Sequence, residues 1–141
     1  MKELKGGNHA TVFLNKETNQ VHKTYNDRFS PDYRHEKTIL QHLLKLKCPY
    51  VPELVLADDC QGKLVMTYVG KPAPKSKENI ASLKELRKEL KTKYHLVQKK
   101  PSVLKKAFHY WREPKTIHNV LIGDKGQLFF IDFGSKTWIL L

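Results

Sequence analysis

The spacing of hydrophobic positions divides the first half of the chain into strands and one helix. Residues 10–14 and 21–25 flank the turn-rich stretch 15–20, which predicts a β-hairpin. The apolar segments 51–57 and 63–69 flank a polar turn, which indicates a second pair of strands. We therefore predict a sheet in this half of the chain.

A helix is predicted between these two pairs of strands. Ser30 is a capping residue and Pro31 suits the first helical position. From Asp32 to about Lys47, apolar side chains recur at the spacing of one helix face, namely Tyr33, Ile39, Leu40, Leu43 and Leu44. We expect this helix to cross the sheet.

The second half of the chain is predicted to hold more helix. Residues 70–74 contain two prolines and a glycine and indicate a connector. An amphipathic helix follows, with its apolar stripe on Leu83, Leu86, Leu90, Tyr94 and Val97. A further helix is expected to begin at 101–102 and to end near Pro114.

The chain is expected to finish with a hairpin. Residues 119–122 and 127–131 are strand-like and flank a glycine-containing turn, and Asp132-Phe133-Gly134 ends the second strand. The final apolar residues, 138–141, are expected to pack on the core. These patterns together predict an α+β fold, in which an antiparallel sheet with one helix precedes basic helices and a hairpin.

Positive charge is concentrated in one segment of this 141-residue chain. The formal net charge is +12, and residues 71–115 hold 14 of the 26 Lys and Arg residues but four of the 14 Asp and Glu residues. Such a segment attracts phosphates, whether in a nucleic acid, an anionic partner or a nucleotide. A solvated helix face is the structural alternative, since no base-reading motif accompanies the charge.

Other compositional features bear on where the protein works. No apolar run approaches the roughly 20 residues that a membrane helix needs. The first residues lack the apolar core and cleavage site of a secretory signal. Cys48 and Cys60 have no metal-ligand pattern around them and suit free thiols in a reducing compartment. We therefore expect an intracellular protein, cytoplasmic or nuclear, without membrane contact.

Glu36 is unusual because it shares the apolar face of the first predicted helix. It precedes Ile39, Leu40 and Leu43 by three, four and seven residues. A buried carboxylate is costly unless a cation meets it, and Lys23 in the neighbouring strand is the natural candidate. The alternative is that Glu36 lies at the rim of the stripe in solvent.

Asp132 and Asn119 are candidate oxygen ligands. Asp132 follows the apolar run 128–131 directly, and Asn119 opens the partner strand of the same hairpin. If the hairpin brings them together, they offer the hard oxygen ligands that Mg²⁺ accepts. A turn-capping role for Asp132 is the structural alternative.

The glycine-containing loop near the start is a third candidate. Glycines between strands let backbone N–H groups approach phosphate oxygens closely. Any tight turn can also use two adjacent glycines. The loop comprises Gly6, Gly7, Asn8, His9 and Ala10.

The order of these features resembles the protein-kinase superfamily over residues 1–137. That order is a glycine loop, a strand lysine, a helix glutamate, a strand pair with a connector, an asparagine and an Asp-Phe-Gly segment. Lys5 and Ala10 stand where kinases usually have glycines. The loop is thereby similar to those of small atypical kinases, such as the RIO group and the kinase of the tRNA-threonylcarbamoylation complex.

The resemblance implies a protein-kinase-like fold that binds ATP and Mg²⁺. Residues 1–70 would form the N-lobe and hinge, and residues 71–141 would form a truncated C-lobe. Together the two parts would make one compact domain. The cofactor-binding residues it implies are Gly6, Gly7, Asn8, His9, Ala10, Val12, Lys23, Glu36, Met66, Thr67, Tyr68 and Val69. The metal ligands it implies are Asn119 and Asp132.

Two departures from the kinase pattern affect the expected activity. The catalytic-loop aspartate should lie five residues before Asn119, where this chain has Pro114. Glu113 is the nearby carboxylate and the one catalytic candidate. The chain also stops seven residues after Gly134, so we expect no activation segment, and we expect apolar surface that a partner or a second copy covers.

Three functions remain open from the sequence. The first is a kinase-like ATP–Mg²⁺-binding domain that is catalytically impaired, a pseudokinase. The second is an active minimal protein kinase or ATPase, a transferase that works through positioning and Mg²⁺. The third is a nucleic-acid-binding module on a degenerate kinase scaffold, with residues 71–115 as its contact surface.

Overall fold

The residues that the structure describes form an α+β fold of antiparallel sheets and two helices. A computed structural model describes residues 2–4, 9–99, 115–134 and 137–141. The first sheet has the strand order β1-β2-β3-β5-β4, in which every neighbouring pair is antiparallel. Its strands are β1 (Lys2–Leu4), β2 (Ala10–Asn15), β3 (Gln20–Tyr25), β4 (Leu54–Asp58) and β5 (Lys63–Thr67).

The predicted first helix is confirmed as α1 (Pro31–Lys45). The Ser30 side chain accepts the N–H of Asp32 at 3.2 Å, and this cap satisfies one of the donors that a helix start leaves unpaired. The buried face of α1 carries Tyr33, Glu36, Ile39, Leu40 and Leu43. This face packs on the side of the sheet that presents Leu64 and Met66, and both belong to the main core.

In the second half of the chain, the described residues add two smaller sheets and one helix. The strand order of the larger is β6-β8-β9, and β7 pairs with β10 in the smaller. The elements are β6 (Lys71–Pro74), α2 (Lys77–Tyr94), β7 (Leu96–Gln98), β8 (Thr116–Ile122), β9 (Leu128–Phe130) and β10 (Trp138–Leu140). The predicted closing hairpin is confirmed as β8 and β9.

Two predictions in this half are wrong. Residues 70–74 contain β6 rather than a connector, and the sheet tolerates Pro72 and Pro74 because β6 is an edge strand that needs fewer N–H donors. The helix stripe does not reach Val97, because His95 adopts a left-handed conformation (φ 58°) that ends α2 and Val97 enters β7. The helix predicted over 101–114 lies outside the described residues.

The prediction that the final residues pack on the core is confirmed by Trp138. Its side chain is 3% exposed, and its ring centroid lies 5.6 Å from that of Phe130 and 5.1 Å from that of Phe133. The Trp138 carbonyl accepts a hydrogen bond from Nε2 of His35 at 2.7 Å. In the same way, Nε2 of His42 donates to the carbonyl of Tyr94 at 2.8 Å. Helix α1 is therefore bonded to both α2 and β10.

The remaining expectations on thiols and membranes have structural counterparts. Cys48 is buried and Cys60 is exposed, and both are free thiols, as predicted. Burial raises the pKa of the Cys48 thiol. Neither α1 nor α2 combines the length and the apolar character that crossing a bilayer requires.

Of the glycines that the structure describes, Gly70 has the least room for a side chain. Its φ is 154°, and an added Cβ would lie 2.0 Å from the backbone oxygen of Ile122. We expect Gly70→Ala to lower the free energy of unfolding by more than about 3 kcal/mol, because backbone cannot yield as a flexible side chain does. Urea unfolding followed by circular dichroism measures this change.

Gly126 supplies the control for that substitution. Its φ is 80°, but an added Cβ would meet nothing within 4 Å. Gly126→Ala should therefore lower the free energy of unfolding by only about 1–2 kcal/mol, which is the cost of a left-handed backbone for a residue with a Cβ. Equal losses in the two variants would contradict the contact between Gly70 and the carbonyl of Ile122.

Candidate functional site

Lys23 lies at the centre of the candidate site and bridges two carboxylates. Its position on β3 turns the side chain towards α1, on the same face of the sheet as Val12 and Leu64 in the neighbouring strands. The Nζ atom lies 2.8 Å from Oε1 of Glu36 and 3.0 Å from Oδ1 of Asp132. The predicted pairing of Lys23 with Glu36 is thus confirmed.

The Glu36 carboxylate is buried and accepts three donors. The residue is 1% exposed, so Glu36 does not lie at a solvent rim. Its Oε1 accepts from Lys23 Nζ and from the Tyr25 hydroxyl at 2.7 Å, and its Oε2 accepts from the backbone N–H of Phe133 at 2.6 Å. Because hydrogen bonds and a cation compensate the buried charge, the carboxylate ties α1 to β3 and to the segment after β9.

Asp132 is the accessible end of this network. It follows β9 directly, and its side chain is 44% exposed while that of Lys23 is 13% exposed. Its backbone is left-handed, with φ 65°, a region that few residues other than glycine adopt. Phe133 is fully buried, and a Cβ on Gly134 would lie 2.5 Å from the Tyr25 hydroxyl. The buried residues after Asp132 therefore hold its carboxylate beside Lys23.

The two carboxylates determine the protonation of the groups around them. Burial alone would lower the pKa of Lys23, but the charges of Glu36 and Asp132 outweigh it and raise the pKa above its usual value. Burial raises the pKa of Tyr25 strongly, and the nearby Glu36 carboxylate adds to the effect. Lys23 is therefore a cation and Tyr25 a hydrogen-bond donor at neutral pH.

Asn119 lies beside this network through its backbone. Its carbonyl accepts the N–H of Ile131 at 3.0 Å, and its φ is 57°. Its side-chain Nδ2 lies 3.2 Å from Nε2 of His118. Among the described residues, no group of three or more His, Cys, Asp and Glu side chains is placed to hold a metal ion. The role of Asn119 as a metal ligand stays a prediction.

The predicted nucleotide-edge segment runs along the end of β5. Met66 is 8% exposed and pairs with Val21 across the sheet. The N–H of Thr67 donates to the carbonyl of Glu53, and the N–H of Tyr68 donates to that of Asn19. These two N–H groups are thus already used within the protein. The N–H of Val69 makes no hydrogen bond to any described residue.

The other predicted residues divide between described and undescribed positions. Ala10 is buried in β2 opposite Tyr25, Val12 pairs with Lys23, and His9 is exposed just before β2. Four predicted site residues lie outside the described residues, namely Gly6, Gly7, Asn8 and Glu113. Their proposed roles stay predictions.

Tyr25 is the site residue that sequence reasoning missed. Strand alternation places it two positions after Lys23, on the same face of β3. Its hydroxyl shares Oε1 of Glu36 with Lys23, and Lys23 Nζ lies 5.2 Å from the centroid of its ring. The period of two was visible in the sequence, but a tyrosine at such a position is ordinarily a core residue.

A cavity of about 370 Å³ lies elsewhere, on the outer side of α1. Its lining includes Arg28, Phe29, Arg34 and Asp59, and it includes neither Lys23 nor Asp132. The two carboxylate oxygens of Asp59 accept hydrogen bonds from Nζ of Lys37, at 2.8 and 3.0 Å. The cavity is therefore separate from the Lys23 network.

Comparison with models of known protein families gives no match, and comparison with curated proteins gives none either. The candidate site consequently depends on its geometry and chemistry.

Replacement of Glu36 tests the network at its buried member. Glu36→Gln leaves the ammonium of Lys23 without its nearest countercharge in a buried position. We expect the free energy of unfolding to fall by about 3–5 kcal/mol. In Glu53→Gln, the matched substitution at an exposed position, the change should stay within about 0.5 kcal/mol. Similar urea midpoints for the two variants would contradict the network.

The raised pKa of Tyr25 predicts a loss of stability at alkaline pH. The stabilisation is complete below the unfolded-state pKa near 10 and is lost as the pH rises towards the higher folded-state value. Between pH ~8 and ~11, the titration of this one residue should lower the free energy of unfolding of the wild type by about 1.4 kcal/mol. Tyr25→Phe should lack that part of the loss in urea unfolding at the two pH values. An equal loss in both proteins would refute the assignment.

Proposed function

We propose that this chain is a protein-kinase-like domain that binds ATP with Mg²⁺ and is impaired in phosphotransfer. One observation carries the proposal: a single lysine, Lys23, contacts both the buried Glu36 and the accessible Asp132. These are the three positions at which the kinase resemblance implies the phosphate-binding lysine, its helix partner and the metal-binding aspartate.

The charges of the network suit a nucleotide with a bound metal. Lys23 is held in place by Glu36, so its ammonium can contact phosphate oxygens without first being ordered. Asp132 offers an accessible carboxylate of the kind that Mg²⁺ binds. Mg²⁺ commonly uses one or two carboxylates together with substrate phosphates, rather than a cage of protein ligands. One such carboxylate next to a lysine fits a metal that arrives with phosphates.

The base end of the nucleotide has one candidate contact. Among Thr67, Tyr68 and Val69, the last has an N–H without a hydrogen-bond partner in the described part of the chain. It lies two residues after the end of β5, the strand that pairs with the strand of Lys23. Val69 is therefore the residue we assign to the adenine edge.

Impaired catalysis is inferred from the sequence at position 114. Proline cannot accept a proton or orient a hydroxyl, and Pro114 occupies the position of the catalytic aspartate in the kinase pattern. Loss of that group affects chemistry more than nucleotide binding. Binding without efficient transfer is the function that this combination supports best.

Thermal unfolding with ATP and Mg²⁺ tests the proposal. Ligand at ten times its Kd stabilises the folded state by about 1.4 kcal/mol. For a chain of this size, that should raise the Tm by roughly 5 °C. Because Asp132 is the proposed metal ligand, ATP with Mg²⁺ should raise the Tm more than either one alone.

Variants of the network and a matched ion pair locate the site. Lys23→Met and Asp132→Asn should each abolish the ATP–Mg²⁺ shift. Lys37→Met and Asp59→Asn disrupt another lysine–carboxylate pair of 2.8 Å and should retain the shift. Unchanged shifts in the first two variants would place the nucleotide elsewhere.

A phosphate-release and phosphotransfer assay separates binding from catalysis. We expect turnover close to background in a protein that shows the ATP–Mg²⁺ shift. Efficient turnover would contradict the impaired assignment and favour the active minimal enzyme. Glu113→Ala would then test whether Glu113 replaces the missing aspartate, since its loss should reduce that turnover.

A further inference from the structure

Helix α2 carries a straight row of exposed lysines. Residues seven apart in an α-helix lie on nearly the same line, because seven residues make almost two turns. Lys77, Lys84 and Lys91 have this spacing, and all three are exposed. At 1.5 Å per residue, the row is about 21 Å long. We call these three residues the lysine row.

The row is charged without compensation. Within the described part of the chain, its three ammonium groups have no ion pair. Lys88 lies four residues after Lys84 and three before Lys91, at spacings where like charges destabilise a helix. Lys88 has a partner in Glu85 at 3.2 Å, but both side chains are 73% exposed, and such a surface pair is weak.

The glutamates of α2 lie on another side of the helix. Glu78 and Glu85 are themselves seven apart, and Glu89 follows four residues later. Helical spacing places this line about 100° or more away from the lysine row. A helix that only needs solubility commonly mixes the two signs at spacings of three and four. Two such pairs occur on α2, Glu85 with Lys88 and Glu89 with Lys93 at 3.7 Å. The lysine row, in contrast, has no acidic residue three or four positions away on α2, which leaves its flank strongly positive.

An extended polyanion matches this flank better than a small anion does. The three residues are about 10 Å apart along the helix axis, and the whole row of about 21 Å is longer than a single phosphate can bridge from end to end. Lysine is a point charge on a flexible stem, which suits phosphate oxygens more than the planar edge of a base. A nucleic-acid duplex presents a charge every 1.7 Å or so along its axis, which amounts to about 12 over the length of the row.

We propose that the lysine row of α2 binds the phosphate backbone of a nucleic acid without reading its sequence. This contact is distinct from the site around Lys23 and does not require nucleotide binding there. Because each lysine that meets a phosphate releases a counterion, the binding should weaken steeply as salt is added.

Fluorescence anisotropy with a labelled duplex DNA and a labelled single-stranded RNA tests the proposal over a range of salt concentrations. The slope of log binding constant against log salt concentration is negative. Its magnitude should be smaller by about 2–3 in Lys77→Ala/Lys84→Ala/Lys91→Ala than in the wild type, since each lysine contributes about 0.7–0.9. The control is Lys2→Ala/Lys16→Ala/Lys45→Ala, which removes the same charge from exposed positions outside α2. Its slope should stay close to the wild-type value.

Several outcomes would overturn the proposal. These are no binding at low salt, equal slopes in the two triple variants, and equal slopes in the wild type and the lysine-row variant. Polyaspartate bound as tightly as RNA or DNA, with the same loss in the lysine-row variant, would assign the row to an acidic protein instead.

A charge reversal separates binding from folding. Lys84→Glu removes the repulsion with Lys88 and places a glutamate four residues before it, the favourable orientation for an ion pair. We expect nucleic-acid affinity to fall severalfold while the Tm is unchanged or higher. A lower Tm together with the lower affinity would make Lys84 a structural residue and would contradict the proposal.

Discussion

The buried carboxylate of Glu36 is the constraint on which the rest of the structure depends. An ionised group at 1% exposure is tolerated only if donors surround it, and these come from two distant parts of the chain. Lys23 and Tyr25 approach from β3, and the N–H of Phe133 approaches from a segment 97 residues away in sequence. The requirement to satisfy one charge thus sets the position of α1 against the sheet and the position of Asp132 beside Lys23.

Much of this arrangement could be predicted because its signals are local. The capping residue Ser30 and the apolar spacing after it define α1, and a glutamate on that stripe predicts a cation opposite. The parts that escaped prediction depend on contacts distant in sequence. Pairing of β7 with β10 joins residues about 40 apart, and no local pattern specifies such a partner. Proline at 72 and 74 argues for a connector until the neighbouring strand shows that β6 lies at an edge, where missing donors cost little.

Lys23 and the lysine row of α2 differ in how their charge is balanced. Lys23 is enclosed by two carboxylates in a poorly solvated position, where electrostatic interactions are strong and salt screens them little. The lysine row of α2 is in water and has no carboxylate partner in the described part of the chain, so its interactions are weak singly and depend on number. One arrangement suits precise placement of a small ligand, whereas the other suits loose contact with a long one.

The separation of charge across α2 also affects how the molecule moves before it touches anything. The lysine row on one flank and the glutamates on another give the helix an electric dipole perpendicular to its axis. The field of a charged surface exerts a torque on this dipole and turns the lysine flank towards negative charge. At low ionic strength the field reaches a few nanometres, so rotation can precede contact. Fewer encounters would then fail through wrong orientation, and the rate of capture would exceed that of a helix with the same net charge evenly distributed.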